Sequence, residues 1–84
     1  MKKMYTVMNP SGIHARPALK IVEAASRHHS DSYLVKDGSR FFAKNLINMI
    51  SIGAKYGDTI EVVAEGEDSL AAIEAIGAVL TSRH

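Results

Sequence analysis

No cysteine occurs in the 84 residues, so disulfides, thiolate metal sites and thiol catalysis are excluded. Tryptophan is absent too. Three tyrosines and two phenylalanines make aromatics 6% of the chain, too few for a platform on which nucleic-acid bases would stack. Neither sign of charge is in excess: ten Lys and Arg stand against nine Asp and Glu, a formal net charge of +1, and no basic block is present to grip a phosphate backbone. No nucleic-acid partner is expected on these grounds. No apolar run approaches the roughly 20 residues of a membrane-spanning helix. The opening Met1-Lys2-Lys3-Met4-Tyr5-Thr6 lacks the apolar stretch and small-residue cleavage site of a secretory signal. The expectation is a cytoplasmic protein without membrane insertion.

What is there reads as one domain over residues 1–84, with an ordinary apolar fraction of 46% and no linker, repeat or low-complexity tract. Tyr5 to Met8 reads as a first strand, broken by Asn9-Pro10-Ser11-Gly12. A helix is predicted from Pro17 to about Arg27. Ala18, Ile21, Val22 and Ala25 form its apolar stripe, Pro17 occupies its first position, and Leu19 lies off the stripe toward solvent or a partner. Ser32–Val35 and Arg40–Ala43 read as strands joined by an Asp37-Gly38 hairpin. Leu46 to Ile52 reads as a brief helix ended by Gly53, and Lys55 to Asp58 as a turn. Thr59 to Ala64 is the clearest strand, rich in β-branched residues. A last helix runs from about Ser69 to Leu80, with Asp68 as N-cap and Leu70, Ile73, Ile76, Gly77 and Leu80 as its buried stripe. Gly77 implies close approach of a neighbouring helix, since glycine inside a helix costs about 1 kcal/mol relative to alanine. The order is β-α-β-β-α-β-α, an α+β arrangement of a sheet with helices on one face.

The segment Gly12-Ile13-His14-Ala15-Arg16-Pro17-Ala18 carries the chemical argument. His14 stands between a glycine turn and the first turn of a helix, where backbone N–H groups lack internal partners and the dipole leaves partial positive charge. An anion attached to that residue meets donors already aimed at it. Arg16 adds a planar cation suited to phosphate oxygens. Neutral imidazole is a nucleophile, and no acid or second histidine lies nearby in sequence to serve as a general base. A histidine that takes up and releases such an anion should be exposed. His28 and His29 are adjacent and so diverge from a helix end, and without further ligands of suitable spacing they read as surface residues. His84 reads as a terminal surface residue and Ser51 as a structural hydroxyl. No metal or cofactor is expected.

With that motif, the apolar first helix, the Asp37-Gly38 hairpin, Ser51-Ile52-Gly53 and Ala64-Glu65-Gly66, the chain resembles the histidine-containing phosphocarrier (HPr) family of the phosphoenolpyruvate-dependent sugar phosphotransferase system over essentially its whole length. The resemblance implies an open-faced β-sandwich, with a four-stranded antiparallel sheet of order 1-4-2-3 and three helices on one face. It also implies a phosphocarrier that takes a phosphoryl group from phosphorylated enzyme I and gives it to an enzyme IIA. By position His14 matches the phosphorylated histidine and Arg16 the phosphate-stabilising arginine, with Gly12, Ala15 and Pro17 completing the phosphate site. Ala15, Leu19, Leu46, Ile47 and Ile50 match the docking surface. The carrier would be a stoichiometric intermediate and not a turnover enzyme, a monomer forming transient complexes.

The chain departs from the family's pattern at two places. Many relatives carry a regulatory serine after a lysine before the short helix; here Lys44 is followed by Asn45, which caps a helix well but has no hydroxyl to phosphorylate. Asn48 stands where relatives usually have glycine or alanine, and is expected to crowd or re-polarise the docking surface. These departures motivate a second reading, an HPr-like regulatory binding module outside sugar uptake. A third, a generic α/β plait that binds RNA or a small ligand, is disfavoured by low charge and few aromatics.

Overall fold

Seven elements follow the expected order in the computed structural model, which describes residues 1–83. They are β1 (Lys2–Thr6), α1 (Ala15–Ser26), β2 (Asp31–Lys36), β3 (Ser39–Phe42), α2 (Leu46–Ser51), β4 (Thr59–Glu65) and α3 (Ser69–Leu80). His84, expected at the surface, lies outside the described residues. The strands form one antiparallel sheet in the order β1-β4-β2-β3, the open-faced sandwich that the resemblance implies.

Strand alternation decides which face is covered. Ile60, Val62 and Ala64 of β4 are buried, and their register partners Leu34 and Ser32 in β2 are buried with them. Onto this face α1 lays Ala18, Ile21, Ala24 and Ala25, and α3 lays Ala72, Ile73, Ile76 and Leu80. The opposite face carries Tyr33 against Phe42, ring centroids 5.4 Å apart, with the Arg40 guanidinium 4.1 Å from the Tyr33 ring centre. The β2–β3 turn is a two-residue hairpin in which Asp37 and Gly38 both take positive φ, 51° and 81°, as a tight turn matched to strand twist requires.

Several elements differ from expectation for reasons of tertiary contact. β1 runs Lys2–Thr6 and not Tyr5–Met8, because pairing with β4 begins at Lys2 opposite Val63 and ends at Thr6 opposite Thr59. Val7 is still tied down, its N–H donating to Asp58 O at 2.8 Å and its O accepting from Gly57 N–H at 2.8 Å. The two lysines fit an outer strand, since charge there blunts pairing with other chains. Along α1, Val22 is half-buried and Ala24 lies in the core beside Ala25. Leu70, expected in the core, is 43% exposed, and Ala72 is buried in its stead. Gly77 makes room for no helix. It faces the Tyr5 ring of β1, and an added Cβ would lie 2.2–2.7 Å from ring atoms.

Asp68 sits at the N-cap position of α3, yet its side chain makes no cap bond. Its carboxylate reaches back to the α1–β2 connection and accepts the His29 and Ser30 backbone N–H groups, each at 2.9 Å, and the Ser30 hydroxyl. Sequence proximity favoured the local cap, but three donors on one loop outbid it. The Ser30 hydroxyl bond is the main cause that holds the carboxyl down to about 2; burial opposes it, and the backbone amides of His29, Ser30 and Asp68 itself assist.

Two predictions follow from these contacts. The stabilisation from Asp68 is present above the ordinary carboxyl value of 3.8 and is lost as pH falls through about 2. Acid unfolding of Asp68→Asn should therefore show a shallower loss of stability between those limits than the parent. Gly77→Ala should lower Tm, because overpacking costs about 1–3 kcal/mol against at most about 1 kcal/mol gained in helix propensity. In a double-variant cycle, Tyr5→Ala should relieve part of the Gly77→Ala loss; strictly additive losses would show that the two do not meet.

Candidate functional site

The loop between β1 and α1 is pinned before it reaches His14. Asn9 folds it: the Asn9 carbonyl accepts Gly12 N–H at 2.9 Å, and Asn9 Oδ1 accepts Ser11 N–H at 3.0 Å. Gly12 has φ +72° and lies so close to the α2–β4 connection that a Cβ would stand 2.4 Å from Ala54 O and 3.0 Å from Lys55 Cα. Ile13 is buried, and its N–H donates to that same Ala54 carbonyl at 3.0 Å. With both neighbours fixed, His14 emerges in extended conformation as the N-cap of α1, exposed, with no side-chain cap bond.

α1 begins at Ala15, two residues earlier than expected, so Pro17 is its third residue and not its first. The first four N–H groups of a helix have no internal acceptor, which makes proline as harmless there as at the start. The first helical bond runs from Ala18 N–H to His14 O at 2.9 Å. The Ala15 and Arg16 amides therefore remain as donors beside His14. The Arg16 side chain is exposed and borders a groove of about 200 Å³ between Pro17 and Lys20 of α1 and Ala78, Val79 and Ser82 at the end of α3. Among the described residues, no hydrogen bond or ion pair engages the His14 ring or the Arg16 guanidinium.

This arrangement can do one kind of chemistry well. The imidazole has a free lone pair and an open approach, so it can form a bond to an electrophilic phosphorus. The group so acquired is anionic and meets two backbone donors, the positive end of α1 and an exposed cation within two residues.

The expected docking residues belong to α1 (Ala15, Leu19) and α2 (Leu46, Ile47, Ile50), two helices that pack against each other. Leu19, Leu46, Ile47 and Ile50 are all exposed, Ile47 to 70%, and Ala15 is exposed beside His14. Met49 and Ile52 turn inward to the core. The five large apolar residues of this short segment thus divide between two faces. Asn45 is the N-cap of α2, its Oδ1 accepting Asn48 N–H at 3.0 Å. Asn48 does not crowd the docking face: its side chain is half-buried, and its Oδ1 accepts the Phe42 backbone N–H at 3.1 Å. No sequence signal marks that contact, because the partner is a backbone group that any residue at position 42 would supply.

Elsewhere, His28 is half-buried with Nδ1 2.7 Å from Ala24 O, while His29 and Ser51 are exposed. No group of three or more His, Asp or Glu among the described residues is placed to hold a metal ion. Among the described residues, no helix is long and apolar enough to cross a membrane.

Gly12→Ala should lose about 1–3 kcal/mol of stability, the usual cost of a side chain held at positive φ, since the backbone oxygen it meets cannot swing away. Urea unfolding measures that loss, and the Ile13 amide should exchange faster than in the parent. A neutral effect would mean that the loop does not depend on this approach.

Residues 1–82 match the model of the family described as the PTS HPr component phosphorylation site. The phosphocarrier protein HPr of Treponema pallidum (strain Nichols) is 45% identical over 74 residues, 88% of this chain and 84% of that one. Among solved structures, a phosphocarrier protein HPr from Bacillus anthracis str. Ames superposes with a TM-score of 0.90 at 34% identity, covering 95% of both chains. HPr-C-His of Thermoanaerobacter tengcongensis gives a TM-score of 0.89 at 31% identity, covering 95% of this chain and 90% of that one.

Proposed function

Because the chain belongs to the HPr phosphocarrier family of the phosphotransferase system, we propose that His14 accepts a phosphoryl group from phosphorylated enzyme I, with phosphoenolpyruvate as the original donor, and passes it to the enzyme IIA of a sugar transporter. The observation that carries this reading is an exposed histidine at the positive end of α1 with an arginine two residues on, neither of them bonded among the described residues. In the forward step the lone pair of the neutral ring forms the P–N bond as phosphorus leaves the donor. The Ala15 and Arg16 amides and the Arg16 guanidinium balance the charge that arrives. The same step in reverse sense, toward the acceptor protein, returns the ring to its starting state.

Leu19, Leu46, Ile47, Ile50 and Ala15 form the surface that both partners contact. Exposed apolar side chains on two helices that pack together mark a contact site, and with Ala15 next to His14 one interface can serve successive donors and acceptors. The protein works as one cytoplasmic, monomeric domain without cofactor, a stoichiometric carrier whose transfer rates belong to the enzymes it visits. With Asn45 at the cap and no hydroxyl there, it is not a substrate of a serine kinase at that position. A regulatory module released from transfer would have little physical use for an arginine poised beside an unengaged histidine.

The test is labelling from radioactive phosphoenolpyruvate with a family enzyme I. The parent should acquire acid-labile label and His14→Ala none. An unlabelled but folded parent, with an enzyme I active on a known carrier, would overturn the reading.

A further inference from the structure

Asn48 is a poor choice for α2 itself. It stands inside a six-residue helix, where alanine would be the better former, and the N-cap is already supplied by Asn45. Its value lies outside the helix. β3 is the outermost strand on its side of the sheet, so the amides along its free edge have no strand to meet. Phe42, the last residue of β3, resolves this by turning both backbone groups toward α2: its N–H donates to Asn48 Oδ1 and its O accepts Asn45 N–H, each at 3.1 Å. Asn45 Oδ1 closes the circuit by accepting Asn48 N–H at 3.0 Å. Strand end, cap and helix are thereby joined in one ring of hydrogen bonds.

The need for such a ring comes from how weakly α2 is otherwise held. A helix of six residues has no stability of its own, and Met49 is its one buried residue. Met49 and the buried Ile52 just past the helix fix its C-terminal half to the core, which leaves the N-terminal half, with Leu46 and Ile47, to be held by polar bonds. The Asn48–Phe42 bond supplies a further point of attachment, on the side away from the exposed Leu46, Ile47 and Ile50.

We infer that Asn48 is a positioning residue for partner docking, which staples α2 to the edge of β3 and holds Leu46, Ile47 and Ile50 in one presentation. The inference rests on the carrier reading above. It assigns to Asn48 an effect on the encounter with partners and none on the chemistry at His14, which lies on a different element.

Asn48→Ala tests it, since the substitution improves helix propensity while removing the acceptor. Amide exchange of Phe42, read by NMR, should accelerate about tenfold, the equivalent of one hydrogen bond of about 1.4 kcal/mol. Steady-state transfer from enzyme I should show KM for the carrier raised at least about threefold, with kcat and the hydrolysis rate of phosphohistidine unchanged. Asn48→Asp keeps an oxygen acceptor and should restore both Phe42 protection and most of the KM. Fast Phe42 exchange with an unchanged KM would overturn the inference, as would a fall in kcat in place of the rise in KM, or a KM that stays raised in Asn48→Asp once protection has returned. The exchange measurement needs no partner, so a parent that accepts no label at all reports failure of the carrier reading, separately from whether the staple exists.

Discussion

The hydrogen bond from Ile13 N–H to the Ala54 carbonyl, with Gly12 pressed beside it, is the constraint on which the arrangement of the site depends. It joins the segment that precedes His14 to the segment that follows α2. The sheet order makes this meeting possible: β1 and β4 are neighbours, so the end of one and the start of the other run side by side, linked again by the Val7–Asp58 and Gly57–Val7 bonds. The same few residues therefore hold His14 on one side and the root of α2 on the other. A shift in the α2–β4 connection would move the reactive ring and the apolar patch together. That coupling suits a surface on which both must face one partner.

Charge local in sequence to His14 and α2 is one-sided, although Asp58 stands at the support itself, its Oδ2 accepting Lys55 N–H at 2.8 Å. No Asp or Glu occurs in residues 1–22 or 38–57, which include the β1–α1 loop, the first two turns of α1, and α2 with its flanks. The nine acids lie in the other stretches of the chain, and one of them, Asp68, is engaged by Ser30 and the His29 amide. A phosphoryl group added at His14 thus enters a neighbourhood whose sequence-local charges are Arg16 and Lys20, with the α1 dipole added. The net charge of +1 conceals this segregation; position along the chain reveals it.

Much of the fold was legible in periodicity and turn chemistry. Asp37-Gly38 announced its hairpin, and Ile60, Val62 and Ala64 alternate as a half-buried strand must. What misled were inferences that stayed local. By sequence Asp68 reads as a cap for its own helix, but its carboxylate serves Ser30 and His29, 38 and 39 residues away. Gly77 does signal close approach, yet nothing local could say that the approaching group is the Tyr5 ring of a strand. Leu70 fits the helical stripe by spacing but lies at the first turn of α3, beyond the edge of the core. The motif residues around His14 were legible individually, while the Ala54 contact that presents them was not. It joins backbone groups, and backbone groups leave no mark on sequence beyond the demand for glycine at position 12.

α2 shows most directly how composition becomes a surface. A six-residue helix makes fewer than two turns, so it cannot bury Leu46, Ile47, Met49 and Ile50 on one face together. Burial goes to Met49, and to Ile52 just past the helix end, because these lie nearest the core formed by α1 and the sheet. The remaining three stand in water at a cost of about 1–2 kcal/mol each relative to full burial. In a chain this small, with a correspondingly small core, so large an apolar surplus held outside is a demand placed on the sequence by something other than folding. The staple formed by Asn45, Asn48 and Phe42 gives that surplus a definite shape, because it anchors through polar bonds a helix whose apolar side chains are mostly turned outward.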